Sequence, residues 1–557
     1  MKPTRHSREM MDRYMREEYW GRPSIAELWD RNAKNHPDKD AVADSRTRMT
    51  WSQAKRWIDR VSLGLLALGI RKDEIIVTQL PNRVETMLLP HALVKAGILG
   101  LPALMTLRHH EMTHILAHTE AVGIVLMTSY RQFDYYRMVR DIRPQLPKLK
   151  YIFVLDDPAP EGALSVNQLS REPLDEKYPA DYLKKTSFGP LDVILLKMTS
   201  GTSGFPKFVE RPNNLSFIGP VNMVRWKMTP EDVCAAFAPV IGGACSILCC
   251  YTAPHLANKV VLLEKFEPQD ALKIIAQEKV TVASGVPAQM VRMLRHPDFH
   301  RYDLSSLRAF FYAGASCPQS LAEELEEKMG CRIINDLGSI DGGNISSTCF
   351  DDPPEVRHRS VGKIYPGMEV KLLDEAGKEV LPGETGQIVS RGAVAPSGYF
   401  RDPETTRQVW GDEDDGWFHT GDLGRFDDQG NLYIVGRKKD MIIRGGQNII
   451  PGEIEDMLLT HPKVFSAAVV AMPDPVMGEK ACAYVIPKPG REFTFDEMID
   501  FLKGKNIAPY KLPERLEIVD EFPMSGDGQK VMKKALSEDV SRKLKAEIEG
   551  RVVSAHP

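Results

Sequence analysis

The densest polar chemistry of the chain lies in "LKMTSGTSGFPK" at positions 196–207. Thr199, Ser200, Gly201, Thr202, Ser203 and Gly204 run without a break, and Pro206 and Lys207 follow. Glycines let a backbone approach a ligand closely, and successive N–H groups in such a turn form a concavity for an anion. The hydroxyls add donors and Lys207 adds charge, so this composition suits a phosphate. The Walker pattern G-x-x-x-x-G-K-[ST] is absent.

A phosphate loop needs a scaffold, and this one differs from Walker's. Positions 193–198 read as a strand, and Phe208, Val209 and Glu210 resume alternation before a turn at 211–214. A Walker loop opens a helix whose N-terminus receives the phosphates. Pro206 and the alternation after it disfavour that helix, so the setting is strand–loop–strand.

Further strands are expected near 75–79, 124–127, 151–155, 260–263, 280–283 and 309–312, with helices near 52–68, 268–278 and 318–328. This alternation predicts an α/β architecture with largely buried sheets. Beyond residue 400 hairpin-like segments precede a compact tail with helices near 451–460, 494–503 and 537–550 and strands near 467–471 and 482–487. The predicted organisation is a large domain of packed sheets and helices over residues 1–438 and a small α+β domain over 439–557. A chain of 557 residues exceeds what one core usually holds.

A net charge of −4 gives no electrostatic case for nucleic acid as a partner. The greasiest region, 86–105, contains Pro90, His91, Lys95 and Pro102 and reads as buried core rather than a membrane span. The N-terminus has charges throughout and no apolar core, unlike a signal peptide. Eight scattered cysteines show no C-x-x-C pair and no zinc spacing, and fit a reducing cytoplasm.

Several motifs accompany the loop in order: "YAGAS" at 312–316, "DLGSID" at 336–341, "GWFHTGDLGRFDDQGNLYIVGRKKDMI" at 416–442, "GGQNIIPGEIE" at 445–455 and "GDGQKVMKKAL" at 526–536. Together they resemble the adenylate-forming (ANL) superfamily of acyl-CoA synthetases, adenylation domains and luciferases. In the N-terminal half, "EYWGRPSIAELWDRNA", "VTQLPN" and "FDYYRMVRDIRPQLPKLKYIFV" resemble the 2,3-dihydroxybenzoate–AMP ligase branch.

The resemblance implies a two-step reaction. A carboxylate attacks the α-phosphorus of Mg-ATP, giving an acyl-adenylate and pyrophosphate, and a thiol then displaces AMP. It implies that Thr199–Lys207 grip the β- and γ-phosphates, and that Gly314, Ala315 and Ser316 border adenine with Asp336 and Leu337 opposite. Gly338, Ser339 and Ile340 continue the nucleotide-side segment, Asp422 binds the ribose, and Arg437 reaches ribose or phosphate. Asp341 is the expected Mg²⁺ ligand, Lys530 the catalytic lysine of adenylation and Lys439 the hinge. Gly445 and Gly446 belong to the thiol side.

Departures from the family pattern bear on both ends of the site. Leu337 replaces an aromatic residue that would stack on adenine, and Ile340 lacks the hydroxyl that meets the α-phosphate. Asp341 is one methylene shorter than the family Glu, and Gln529 separates Gly528 from Lys530. Where the dihydroxybenzoate branch has His-Asn, this chain reads "PVIGGA". An acid pocket walled by Val240, Ile241, Gly242, Gly243 and Ala244, with Gly338, suits a hydrophobic aromatic, alicyclic or medium-chain acid held by burial.

The expectation is an AMP-forming acid–CoA ligase using ATP, Mg²⁺ and CoA on a small-molecule carboxylic acid. One alternative is an aryl-acid–AMP ligase that loads a carrier-protein phosphopantetheine. Another is a catalytically weak acyl-binding protein on the same scaffold. The oligomeric state is open, a homodimer among the options.

Overall fold

The structure, a computed structural model, describes residues 1–199, 206–314, 317, 319–411, 416–524 and 531–554, the last seven as backbone. Two large sheets carry the N-terminal part. The nine-stranded sheet runs in space through Lys363–Ile364, Gly343–Ser347, Arg332–Ser339, Ala309–Ala313, Val282–Gly285, Val233–Ala236, Lys259–Leu262, Asp40–Ala43 and Arg48–Thr50. The seven-stranded sheet runs through Phe208–Pro212, Val193–Met198, Leu99–Pro102, Ile75–Gln79, Gly123–Leu126, Tyr151–Val154 and Leu164–Ser165. The central strands of both are parallel.

Both faces of each sheet are covered, which explains their nearly continuous apolar sequences. On one strand Ile76 enters the core shared by the two sheets, while Ile75 and Val77 enter the outer layer with helices His109–Thr119 and Tyr135–Ile142. On the other sheet Phe311 and Ile334 face the shared core, and Phe310 and Ile333 face helices Pro268–Glu278, Pro287–Leu294 and Gln319–Met329. Helices Trp51–Ala67 and Val84–Ala96 fill the space between the sheets. The first starts on a Thr50/Gln53 capping box, and the second ends at Gly97 in the left-handed conformation that a glycine adopts without penalty. The second contains Pro90 and occupies the greasy 86–105 region; no helix among the described residues is long and apolar enough to cross a membrane.

A four-stranded antiparallel sheet follows: Met368–Leu373, Gly386–Gly392, Phe418–Phe426 and Leu432–Arg437. The C-terminal sheet is built on Val464–Asp474 and Gly478–Pro487, with Ile442–Arg444, Gln447–Ile449 and Arg515–Ile518 beside them. Helices Pro451–Leu459 and Phe495–Gly504 close one core and Lys533–Ser554 another. The expected strands at 467–471 and 482–487 are the middle of one arm and the final part of the other arm of a longer hairpin. Its ends carry Pro473, Asp474 and Glu479, which hide a strand from a reading by propensity.

Candidate active site

The phosphate-loop motif sits where two antiparallel strands meet. Met198 pairs with Phe208, and the Thr199 N–H donates to the Lys207 carbonyl at 3.0 Å, closing the turn at its base. Ser200, Gly201, Thr202, Ser203 and Gly204 lie outside the described residues, as do Ala315, Ser316 and Lys530. Gly314 ends strand Ala309–Ala313 with φ +85°, a value that favours glycine there.

Strand Phe208–Pro212 is held from its other side by residues 397–400. Phe400 N–H donates to the Phe208 carbonyl at 2.7 Å, Glu210 N–H donates to the Gly398 carbonyl at 2.9 Å, and Val209 bridges Tyr399. That pairing fixes the Tyr399 ring 5.0 Å from the Lys207 ammonium. Asp341 completes the group. Burial raises its carboxyl above the usual range, against the pull of the Tyr399 hydroxyl, Lys207 and Arg211. Its Oδ1 is buried and has no hydrogen-bond partner among the described residues.

Asp341 reaches this place on the turn between strands Arg332–Ser339 and Gly343–Ser347. Ser339 Oγ accepts the Gly342 N–H at 2.7 Å across the turn. A Cβ at Gly338 would come within 2.8 Å of the Gly343 carbonyl oxygen, so only glycine fits this close crossing. Ile340 packs with Val209, Tyr399, Trp410 and Phe418. This apolar knot ties together the phosphate-loop strand, the "DLGSID" turn and the first residue of strand Phe418–Phe426.

At the inner end of the same motif Asp336 is 5% exposed. Its carboxylate accepts from the Tyr365 hydroxyl at 2.8 Å and from Asn344 Nδ2 at 3.2 Å. Burial nevertheless pushes its pKa up to about 7. Leu337 is half-buried and packs into two clusters of the core.

Along strand Phe418–Phe426, Asp422 stands directly opposite Arg437 of strand Leu432–Arg437, and the Arg437 Nε lies 3.1 Å from Asp422 Oδ1. The Thr420 hydroxyl oxygen accepts the Asp422 N–H at 3.0 Å. Arg437 is nearly half exposed, so this pair faces solvent on one side. Lys439 lies in the short turn Lys438–Asp440 immediately after it. Gly445 and Gly446, at φ +57° and +83°, form the two-residue turn between paired Arg444 and Gln447. Two positive φ values there match the twist of the flanking strands.

Residues 29–400 match the family model of the AMP-binding enzyme, and residues 453–529 match that of the AMP-binding enzyme C-terminal domain. The chain belongs to the AMP-binding, adenylate-forming enzyme family. It is 33% identical over 540 residues to the medium-chain fatty-acid–CoA ligase of Escherichia coli (strain K12), covering 96% of this chain and 94% of that protein. It is 31% identical over 548 residues to 2,3-dihydroxybenzoate-AMP ligase of Bacillus subtilis (strain 168), covering 97% of each. Among solved structures, the anthranilate CoA ligase AuaEII in complex with anthranoyl-AMP matches with a TM-score of 0.81 at 26% identity, over 94% of this chain and 98% of that one. The fold and family implied by the sequence motifs are therefore shown. The protein is an adenylate-forming acid ligase, and ATP is its nucleotide.

In this adenylate-forming enzyme the expected acid wall is only partly buried. Val240 is buried in the shared core, where its N–H donates to Asn82 Oδ1 at 2.8 Å, and Ala244 is buried too. Ile241 and Gly242 are half-buried, and Gly243 is exposed with φ +50° and open space around it. The segment continues as helix Gly243–Cys245 and a widened π-helical stretch, Ser246–Thr252. Widened turns of this type occur often at functional sites. Here they bring Ser246 and Tyr251 against two cations, Lys197 and Arg211.

Those two residues escaped the sequence reading. Lys197 precedes the phosphate loop by two positions, and Arg211 looked like the start of a turn. The available signal was a lysine in the otherwise apolar strand Val193–Met198, and an arginine beside Glu210 in the next strand.

Proposed function

We propose that this adenylate-forming enzyme is an acid–CoA ligase, converting ATP, a carboxylic acid and CoA to acyl-CoA, AMP and pyrophosphate through an acyl-adenylate. The observation that carries this reading is the buried Asp341 carboxylate, with a free Oδ1, beside Lys207 at the base of the phosphate loop. Hard oxygen donors of this type suit Mg²⁺, which takes one or two protein carboxylates and completes its shell with phosphate oxygens and water. When bound, Mg²⁺ neutralises charge on the triphosphate.

The chain's own groups then divide the work. Thr199 to Lys207 cradle the departing pyrophosphate, because positioning and electrostatics supply most of the catalysis in such transfers. Asp422 accepts hydrogen bonds from the ribose hydroxyls, with Arg437 beside it. Asp336, Leu337, Gly338, Ser339, Ile340 and Gly314 to Ser316 border the nucleotide. Ile340 supplies no hydroxyl to the α-phosphate, so the charge there is met by cations. Lys530 offsets repulsion between the carboxylate and the α-phosphate. Rotation of residues 439–557 about Lys439 withdraws Lys530 and brings the Gly445–Gly446 turn toward the thiol.

CoA as the acceptor is supported by the likeness to acid–CoA ligases on both sequence and structure. A carrier-protein phosphopantetheine is the second reading, favoured by the likeness to 2,3-dihydroxybenzoate-AMP ligase over 97% of the chain. The test is a panel of carboxylic acids with ATP and Mg²⁺, with and without CoA, followed by mass detection of adenylate and thioester. Acid-dependent AMP release with a CoA thioester is the expected result. Adenylate that accumulates and ignores CoA selects carrier loading, and no ATP turnover with any acid rejects both readings.

A further inference from the structure

Lys197 and Arg211 stand on adjacent antiparallel strands in diagonal register, Lys197 opposite Val209 and Leu195 opposite Arg211. Side chains two apart on one strand share a face, so both cations point to the same side of the sheet. On that side Lys197 Nζ lies 3.4 Å from Ser246 Oγ and 6.0 Å from the centre of the Tyr251 ring. Ser246 and Tyr251 belong to the helical continuation of the "PVIGGA" segment, the expected acid wall. Arg211 is 4% exposed, and its Nε and Nη1 have no hydrogen-bond partner among the described residues.

A buried guanidinium with unpaired N–H groups is costly, and protein interiors rarely keep one without a partner. The charge around it does not balance. Asp341 is the carboxylate that acts on Arg211, and Lys207 acts on the same carboxylate. Among the described residues no carboxylate acts on Lys197, whose ammonium is lowered to about 8 by burial and by Arg211. Burial likewise lowers Arg211 to about 10. Such a pocket is matched by an anion that arrives with the substrate.

We propose that Lys197 and Arg211, with Ser246 and Tyr251, form an anion subsite in the acid pocket, and that the acid carries a second acidic oxygen group besides the carboxylate that is adenylated. The group is a second carboxylate or a hydroxyl that ionises against the two cations. This deepens the reading of the protein as an acid ligase and rests on it. The apolar residues hold the body of the acid, and the cation pair meets its second acidic group.

The experiment compares matched acids in ATP–pyrophosphate exchange. Benzoate is set against 2-hydroxybenzoate and the three benzenedicarboxylates, hexanoate against hexanedioate, and cyclohexanecarboxylate against its 1,2-dicarboxylate. In the wild type the second acidic group raises kcat/KM by about tenfold or more in at least one pair, the size of a charge-assisted hydrogen bond. In Lys197→Met that preference falls by about tenfold, and Lys197→Arg keeps part of it. A wild type that prefers the simple acids in every pair overturns the subsite while leaving the acid-ligase reading intact. So does an equal loss for both members of a pair in Lys197→Met, since that places the ammonium at the reacting carboxylate. If no acid is turned over, the acid-ligase reading fails, and protection of the fold against heat by the same diacids decides the subsite. Protection of the wild type greater than that of Lys197→Met supports it, and equal or no protection overturns it.

Discussion

The Tyr365 hydroxyl lies 2.8 Å from Asp336 Oδ1 and 2.9 Å from Asn222 Oδ1. A phenol has one proton, so it cannot satisfy two acceptors at once. The conflict disappears either when Asp336 is protonated, its O–H donating to the Tyr365 oxygen and the phenol to Asn222, or when the Asn222 amide is turned so that its Nδ2 donates to the phenol and the phenol to Asp336. Burial pushes the Asp336 carboxyl up to about 7, against the pull of the Tyr365 and Asn344 hydrogen bonds.

Asp336 therefore makes stability depend on pH in a definite direction. Between an unfolded carboxyl near 4 and a folded one near 7 the native state holds a proton that the unfolded chain has lost. The contribution is full below pH 4, declines as pH rises, and is gone above about 7. Its size is a few kcal/mol, at about 1.4 kcal/mol per pKa unit. The difference in unfolding free energy between the wild type and Asp336→Asn, taken from urea titrations from pH 4 to 8, should change by that amount. A difference that stays constant across this range removes Asp336 as the titrating group.

Asp341→Asn should lower ATP–pyrophosphate exchange by about a hundredfold, the scale at which one preorganised electrostatic group acts in a buried site. The variant should also need more Mg²⁺ for half-maximal rate. Unchanged Mg²⁺ dependence would place Asp341 outside the metal's reach.

Asp422 and Arg437 face solvent on one side, so their mutual attraction contributes about 1 kcal/mol or less to folding. Asp422→Ala should raise the KM for ATP at least tenfold while moving the urea midpoint little. A large stability loss with an unaltered KM would make the pair structural.

Lys439→Pro restricts φ in the turn Lys438–Asp440. Thioester formation should fall at least tenfold more than pyrophosphate exchange if, as proposed, residues 439–557 rotate about Lys439 between the two half-reactions. Equal losses in both assays would reject a hinge at this residue.

Much of the architecture was legible without coordinates, for local reasons. Strand Val193–Met198 and helix Pro268–Glu278 lie where alternation, periodicity and flanking prolines place them. The antiparallel setting of the phosphate loop follows from Pro206 and the alternation after Lys207, and the ordered motifs name the family. All these signals lie within a few residues of the features they predict. The partners that decide the site's electrostatics lie far off in sequence. Tyr365 meets Asp336 across 29 residues and Asn222 across 143. Lys197 meets Ser246 across 49. In the sequence Lys197 and Arg211 read as two unrelated charges, the second of them next to Glu210. Only the pairing of Leu195 with Arg211, and the wide helical turn that lays Ser246 and Tyr251 over them, makes one cationic face out of the buried Arg211 and the half-buried Lys197. Sequence alone determined the fold and the nucleotide chemistry, because these are carried by contiguous motifs. Tertiary structure decided which charges are buried and what they meet, because burial and pairing belong to the packed chain as a whole.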